Sequence, residues 1–109
     1  MKIREVIEGE VAILTLSGNM LEPDTCELAD KVKGLAENNT RKVVIDLNDV
    51  KRMNSAYGLG VLVTCLFIMN RAGGELRLAH LNEKERHILK VMKLDHIFRI
   101  YDSVEKALY

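Results

Sequence analysis

The sequence predicts a single α/β domain on a mixed, largely parallel sheet, with elements in the order β-β-α-β-α-β-α-β-α. Three observations carry this. Two extended apolar runs open the chain around a short loop with glycine, which is a hairpin pattern. From there to the end, strand-like runs alternate with helix-spaced apolar stripes, as in sheets whose parallel strands are joined by helices. The chain has 109 residues, so residues 1–109 read as one domain.

The first run carries Ile3 and Ile7 on one period-2 face, and Glu8-Gly9-Glu10 separates it from Val11–Leu16. Ser17-Gly18-Asn19 is read as the end of the second strand. Pro23 opens a helix with Asp24 and Glu27 in its first turn, where carboxylates suit the helix dipole. Leu28, Val32, Leu35 and Ala36 form its inner stripe, and Glu37-Asn38-Asn39 stops it. Val43-Val44-Ile45 is a β-branched run that fits a central strand covered on both faces. Asn48 to Asn54 is read as a polar loop with Asp49, Lys51 and Arg52. A second helix starts near Ser55 and stops at Arg71-Ala72-Gly73-Gly74. Glu75 to Leu81 is the next strand, with Leu76 and Leu78 on one face. Asn82 and Glu85 have the spacing of a capping box for a third helix, with Ile88, Leu89 and Met92 on its inner side. Phe98 to Tyr101 is a short last strand. Asp102 and Glu105 repeat the capping pattern before a final helix with Val104, Ala107 and Leu108.

Composition narrows the function. Apolar residues make up 48% and charged residues 29%, the balance of an ordinary globular protein. Sixteen basic residues meet 16 acidic ones, so the formal net charge is zero. A nucleic-acid binder carries a basic excess, and none is present here. The N-terminal residues Met1-Lys2-Ile3-Arg4-Glu5 form no apolar signal core. Cys26 and Cys65 make neither a CxxC pair nor a metal-ligand spacing, so they read as two free thiols in a cytoplasmic protein. The longest apolar stretch, Ala56 to Met69, falls short of the roughly 20 residues a membrane-spanning helix needs. No membrane insertion is expected.

No active site emerges from the residue pattern. His80, His87 and His96 form no HxxxH or HExxH pair and are expected at the surface or rim. Gly58, Gly60, Gly73 and Gly74 make neither a phosphate loop nor a dinucleotide fingerprint. Ser55 lacks a GxSxG context. No cofactor, no metal and no catalysis are implied. The informative stretch is Asn54-Ser55-Ala56-Tyr57-Gly58-Leu59-Gly60-Val61-Leu62, where the second helix begins. A serine there caps backbone N–H groups, and the same place accepts an anion well. A phosphate on Ser55 would suit the helix while adding roughly two negative charges to a nearly neutral surface. From the residues alone, a plain helix cap is the favoured reading of Ser55. The helix that follows carries only Thr64 as a clearly polar residue. Either both of its sides are covered or part of it is a docking surface. Tyr57, Val61, Phe67 and Ile68 flank its stripe of Leu59, Leu62, Val63 and Leu66.

Val43-Val44-Ile45-Asp46-Leu47, then Ser55, then Gly58–Leu62, then Ala72–Leu78, and finally Leu94–Ser103 together resemble the STAS domain of anti-sigma factor antagonists. The resemblance covers nearly the whole chain in order. It implies a protein that binds an anti-sigma factor, itself a serine kinase, and so frees a sigma factor for transcription. The kinase would phosphorylate a serine at the start of the second helix and switch the antagonist off, and a serine phosphatase would reverse this. Carried over, the phosphorylated residue is Ser55, and the docking surface is Asn54, Ser55, Ala56, Tyr57, Gly58 and Val61. The sequence departs from the family pattern at two points. Asn54 holds the place of an aspartate, and Tyr57 is one residue extra before Gly58. Counting back from Gly58 puts the modified position on Ala56 or Tyr57; counting forward from the strand puts it on Ser55, and the forward count is followed. The alternative is a constitutive STAS scaffold, in a signalling assembly or as the accessory subunit of a lipid transporter, without phosphorylation. Homodimer formation stays open.

Overall fold

A computed structural model of the protein describes residues 1–20, 22–53 and 55–109. Leu21, Asn54 and the side chains of residues 22–26 and 55–57 lie outside the described residues, and with them the expectations placed on Pro23, Asp24 and Cys26.

The nine elements follow the order the sequence predicts. Strands β1 (Lys2–Glu8) and β2 (Val11–Met20) are antiparallel, with Glu8 opposite Val11 across a two-residue turn. Gly9 takes φ +63° there, the positive φ that a two-residue hairpin of type II′ requires at its first central position. Strands β3 (Lys42–Met53), β4 (Glu75–Ala79) and β5 (Arg99–Tyr101) then add in parallel, giving one sheet in the order β1-β2-β3-β4-β5.

The helices divide the sheet into two unequal faces. The main core joins Leu14 and Leu16 of β2, Ile45 of β3 and Leu78 of β4 to α1 (Glu22–Glu37), α2 (Ser55–Arg71) and α3 (Glu83–Val91). Each such leucine or isoleucine, fully buried, contributes about 2 kcal/mol. On the other face Val44 and Ala79 pack under Ala107 of the short helix α4 (Val104–Leu108), flanked by Val11, Ile13 and Tyr101. Burial of Val43, Val44 and Ile45 on both faces matches the two-sided cover expected of that run.

Four local expectations are corrected. β2 does not end at Ser17-Gly18-Asn19 but runs on to Met20, and Asn48–Met53 is not a loop but the second half of β3. The two extensions pair with each other, Ser17 with Asp49 and Met20 with Met53, and the buried Met20, Leu47 and Val50 anchor them. The ladder slips between Thr15 and Ser17, where the Asp46 Oδ1 accepts from the Asn48 N–H at 3.0 Å. Met92 does not face inward: α3 ends at Val91, and Met92 is its half-exposed C-cap. The cap of α4 is Ser103, whose Oγ accepts from the Lys106 N–H at 3.2 Å, and not Asp102, which pairs with Arg86 at 2.7 Å. The capping box of α3 forms as expected between Asn82 and Glu85, at 2.7 and 2.9 Å.

Candidate functional site

β3 ends at Met53 and α2 begins at Ser55, so the strand delivers the helix start to the carboxyl end of the parallel sheet. Gly58 fits this junction closely. A Cβ there would collide with Cγ of Met53 and stand 2.7 Å from its Sδ. The missing side chain lets the first turn of α2 sit against the strand end. Asn54 and the side chains of Ser55, Ala56 and Tyr57, the centre of the expected docking surface, lie outside the described residues. Gly58 is buried, and so is Val61, at 6% exposure. Val61 is therefore a core side chain and not part of the open docking surface expected of it.

The rest of α2 answers the question its apolar sequence raised. Leu59, Val61, Leu62, Cys65, Leu66 and Met69 are buried against the sheet and α1, which covers most of the helix. Gly60, Thr64 and Asn70 are exposed, together with Phe67 at 60% exposure. Burial pushes the Cys65 thiol up to about 12, which makes it a packing group and not a nucleophile.

Beside the start of α2 lies a cleft of about 150 Å³. Met53, Leu59 and Ile88 supply its apolar lining, Lys51, Arg52 and Lys84 its charge, and Asn82 and Glu85 the start of α3. None of the three cations holds an ion pair among the described residues. Burial raises the Glu85 carboxyl above its ordinary value, and the hydrogen bond from the Asn82 backbone opposes that rise. The residue-by-residue pattern gave no hint that α3 would wall this cleft. Topology could have: helices that follow parallel strands start at the same end of the sheet. The arrangement can receive an apolar side chain flanked by an acidic group. Among the described residues, no cluster of His, Cys, Asp or Glu could hold a metal ion. His87 and His96 are exposed and His80 is half-buried, at the surface or rim as expected.

The model of the STAS domain family matches residues 2–107. The chain belongs to the STAS domain family. This STAS domain is 36% identical over 67 residues to a Thermotoga maritima protein named as a candidate anti-sigma factor antagonist, and equally to its Thermotoga neapolitana homologue. The match covers 62% of the chain but spans only 58% of those relatives' length. The crystal structure of the Thermotoga maritima protein TM1081, described in the same terms, superimposes with a TM-score of 0.87 at 26% identity, over 97% of this chain and 91% of that one. The anti-sigma factor antagonist SpoIIAA in its unphosphorylated form gives 0.80 at 12% identity, over 97% and 93% of the two chains, a likeness of fold. No helix among the described residues is long and apolar enough to cross a membrane.

Proposed function

We propose that this STAS domain is an anti-sigma factor antagonist that binds an anti-sigma factor with serine kinase activity and is switched off by phosphorylation of Ser55. The observation that carries the reading is the position of Ser55. It is the first residue of α2, directly beyond β3 and next to the basic cleft, in a chain of this family. The protein acts by binding, in the cytoplasm, and catalyses nothing itself. Asn54, Ser55, Ala56 and Tyr57 form the docking surface, and the buried Gly58 and Val61 support it from inside.

In the switch, the Ser55 hydroxyl oxygen takes the γ-phosphoryl group of ATP, ADP leaves and the hydroxyl proton is released. Free N–H groups and the dipole at a helix start accommodate the added anion. Its charge of about −1.5 to −2 offsets the field of Lys51, Arg52 and Lys84, which in the unmodified protein favours an acidic partner surface. A serine phosphatase restores the hydroxyl by hydrolysis.

The test is intact-mass and peptide analysis after incubation with ATP and extract of the host. One phosphoryl group on Ser55, absent in Ser55→Ala, is the expected outcome. No modification, in an extract that phosphorylates a control antagonist, would replace the reading by a constitutive scaffold in which Ser55 is only a helix cap.

A further inference from the structure

The two edges of the sheet are unlike. β5 is three residues long, which leaves little backbone to pair. β1 is seven residues long, is exposed at every position except the half-buried Ile3, and pairs with β2 on one side only among the described residues. Its Val6 and Ile7 are 43% and 56% exposed. Charged residues often protect such an edge from pairing. In β1 their spacing does the reverse for one partner, a second copy of the same strand.

We propose that two copies of this chain associate edge to edge through β1, antiparallel, about a twofold axis at Glu5. This surface is separate from the Ser55 cleft, and the proposal does not depend on that reading. An axis perpendicular to the sheet keeps each face continuous, so opposed residues share a face. With the axis at Glu5, Lys2 meets Glu8 twice and Ile3 meets Ile7 twice, so opposite charges and apolar groups are matched at both ends. The aliphatic stem of Arg4 lies along Val6. Glu5 meets its own copy, but each carboxylate already holds Lys31 of α1 at 3.2 Å, which makes the centre a four-charge cluster with no net charge. An open groove of about 290 Å³, lined by Glu5, Ile7, Asp30, Lys31 and Leu35, borders the seam on the helix side, where Asp30 adds one carboxylate per copy beside the central cluster. Neighbouring registers are worse. Centring on Arg4 opposes Arg4 to itself and Ile3 to Glu5. Centring on Val6 pairs Arg4 with Glu8 twice and Val6 with itself, but opposes Glu5 to Ile7 twice and carries Lys2 and Ile3 past the end of the partner strand, so the Ile3–Ile7 match is lost. Within one copy, Lys2 lies across from Ser17 and Glu8 from Val11, so reversing these charges breaks no ion pair inside the hairpin.

Sedimentation equilibrium of the full chain, from low to high micromolar concentration, tests this. The parent is expected to dimerise. Lys2→Glu and Glu8→Lys should each raise the dissociation constant roughly tenfold, because every pair occurs twice. The double variant Lys2→Glu/Glu8→Lys should return it to near the parent value, with unchanged circular dichroism throughout. A protein monomeric over the whole range would overturn the proposal. So would a dimer indifferent to the single reversals, which would move the interface to another surface such as that around Phe67, or a double variant that fails to recover.

Discussion

Gly58 and Gly60 sit two residues apart in α2 and should answer the same methyl group in opposite ways. A helix interior gains up to about 1 kcal/mol from Gly→Ala. At Gly60, exposed and with nothing within 4 Å of an added Cβ, that gain is free, so Gly60→Ala should stabilise the protein. At Gly58 the Cβ drives into the Met53 side chain near its root, where the chain has little freedom to swing away. Overpacking of this kind costs about 1–3 kcal/mol and outweighs the propensity. Gly58→Ala should therefore be net destabilising by about 1–2 kcal/mol. Urea unfolding of the two variants checks the pair. Equal stabilisation by both would mean that Met53 repacks and that the close approach of strand and helix is not tight. The sequence marked Gly58 as part of a family pattern. The reason for the glycine, a methionine five residues earlier on the preceding strand, became visible only in the fold.

α4 is five residues long, far too short to persist on its own. Besides Ala107 in the second core, two cations fasten its end. The Arg77 Nη1 donates to the Ala107 carbonyl at 2.8 Å and the Lys42 Nζ to the Leu108 carbonyl at 3.1 Å, where the helix dipole favours positive charge. Glu75 holds both cations in turn, Arg77 at 2.9 Å and Lys42 at 3.9 Å, and the Arg77 guanidinium lies 5.3 Å from the centre of the Tyr101 ring. Arg77 is buried, so its loss removes packing as well as charge, while Lys42 is only half-buried. Arg77→Ala should cost about 2–4 kcal/mol and speed amide exchange across residues 104–108, with Lys42→Ala costing under about 1 kcal/mol. Unchanged protection of α4 in Arg77→Ala would show that apolar contacts alone hold it. Nothing in the sequence pattern marked Arg77 as buried, because Ala107 and Tyr101, which cover it, lie on elements far along the chain. The same limit explains the misplaced ends of β2 and β3. Ser17–Asn19 and Asn48–Met53 look like turns one at a time and become strand only because each supplies the other's ladder.

At the scale of the whole molecule, element order and sheet class were legible because they rest on periodicity, which survives sequence change. SpoIIAA keeps the same fold at 12% identity. The site was legible only in part. The place of Ser55 at a helix start could be read from the chain, but the cleft wall from α3 and the burial of Val61 depend on how distant elements meet. Whole-molecule charge then separates a switch that acts at the surface from one that acts by unfolding. The parent has zero formal charge at pH 7 and an isoelectric point near 6.8. Ser55→Asp adds one negative charge and should focus below that value. The charge stands in the first turn of α2, where the helix dipole favours it by about 0.3–1 kcal/mol. The unfolding temperature should therefore equal the parent's or exceed it by up to about 4 °C. Weakened partner binding by such a folded variant would place the switch in the charge presented at the docking surface. An unfolding temperature several degrees below the parent's would instead mean that the anion disrupts the start of α2, and that phosphorylation silences the protein by loosening the β3–α2 junction.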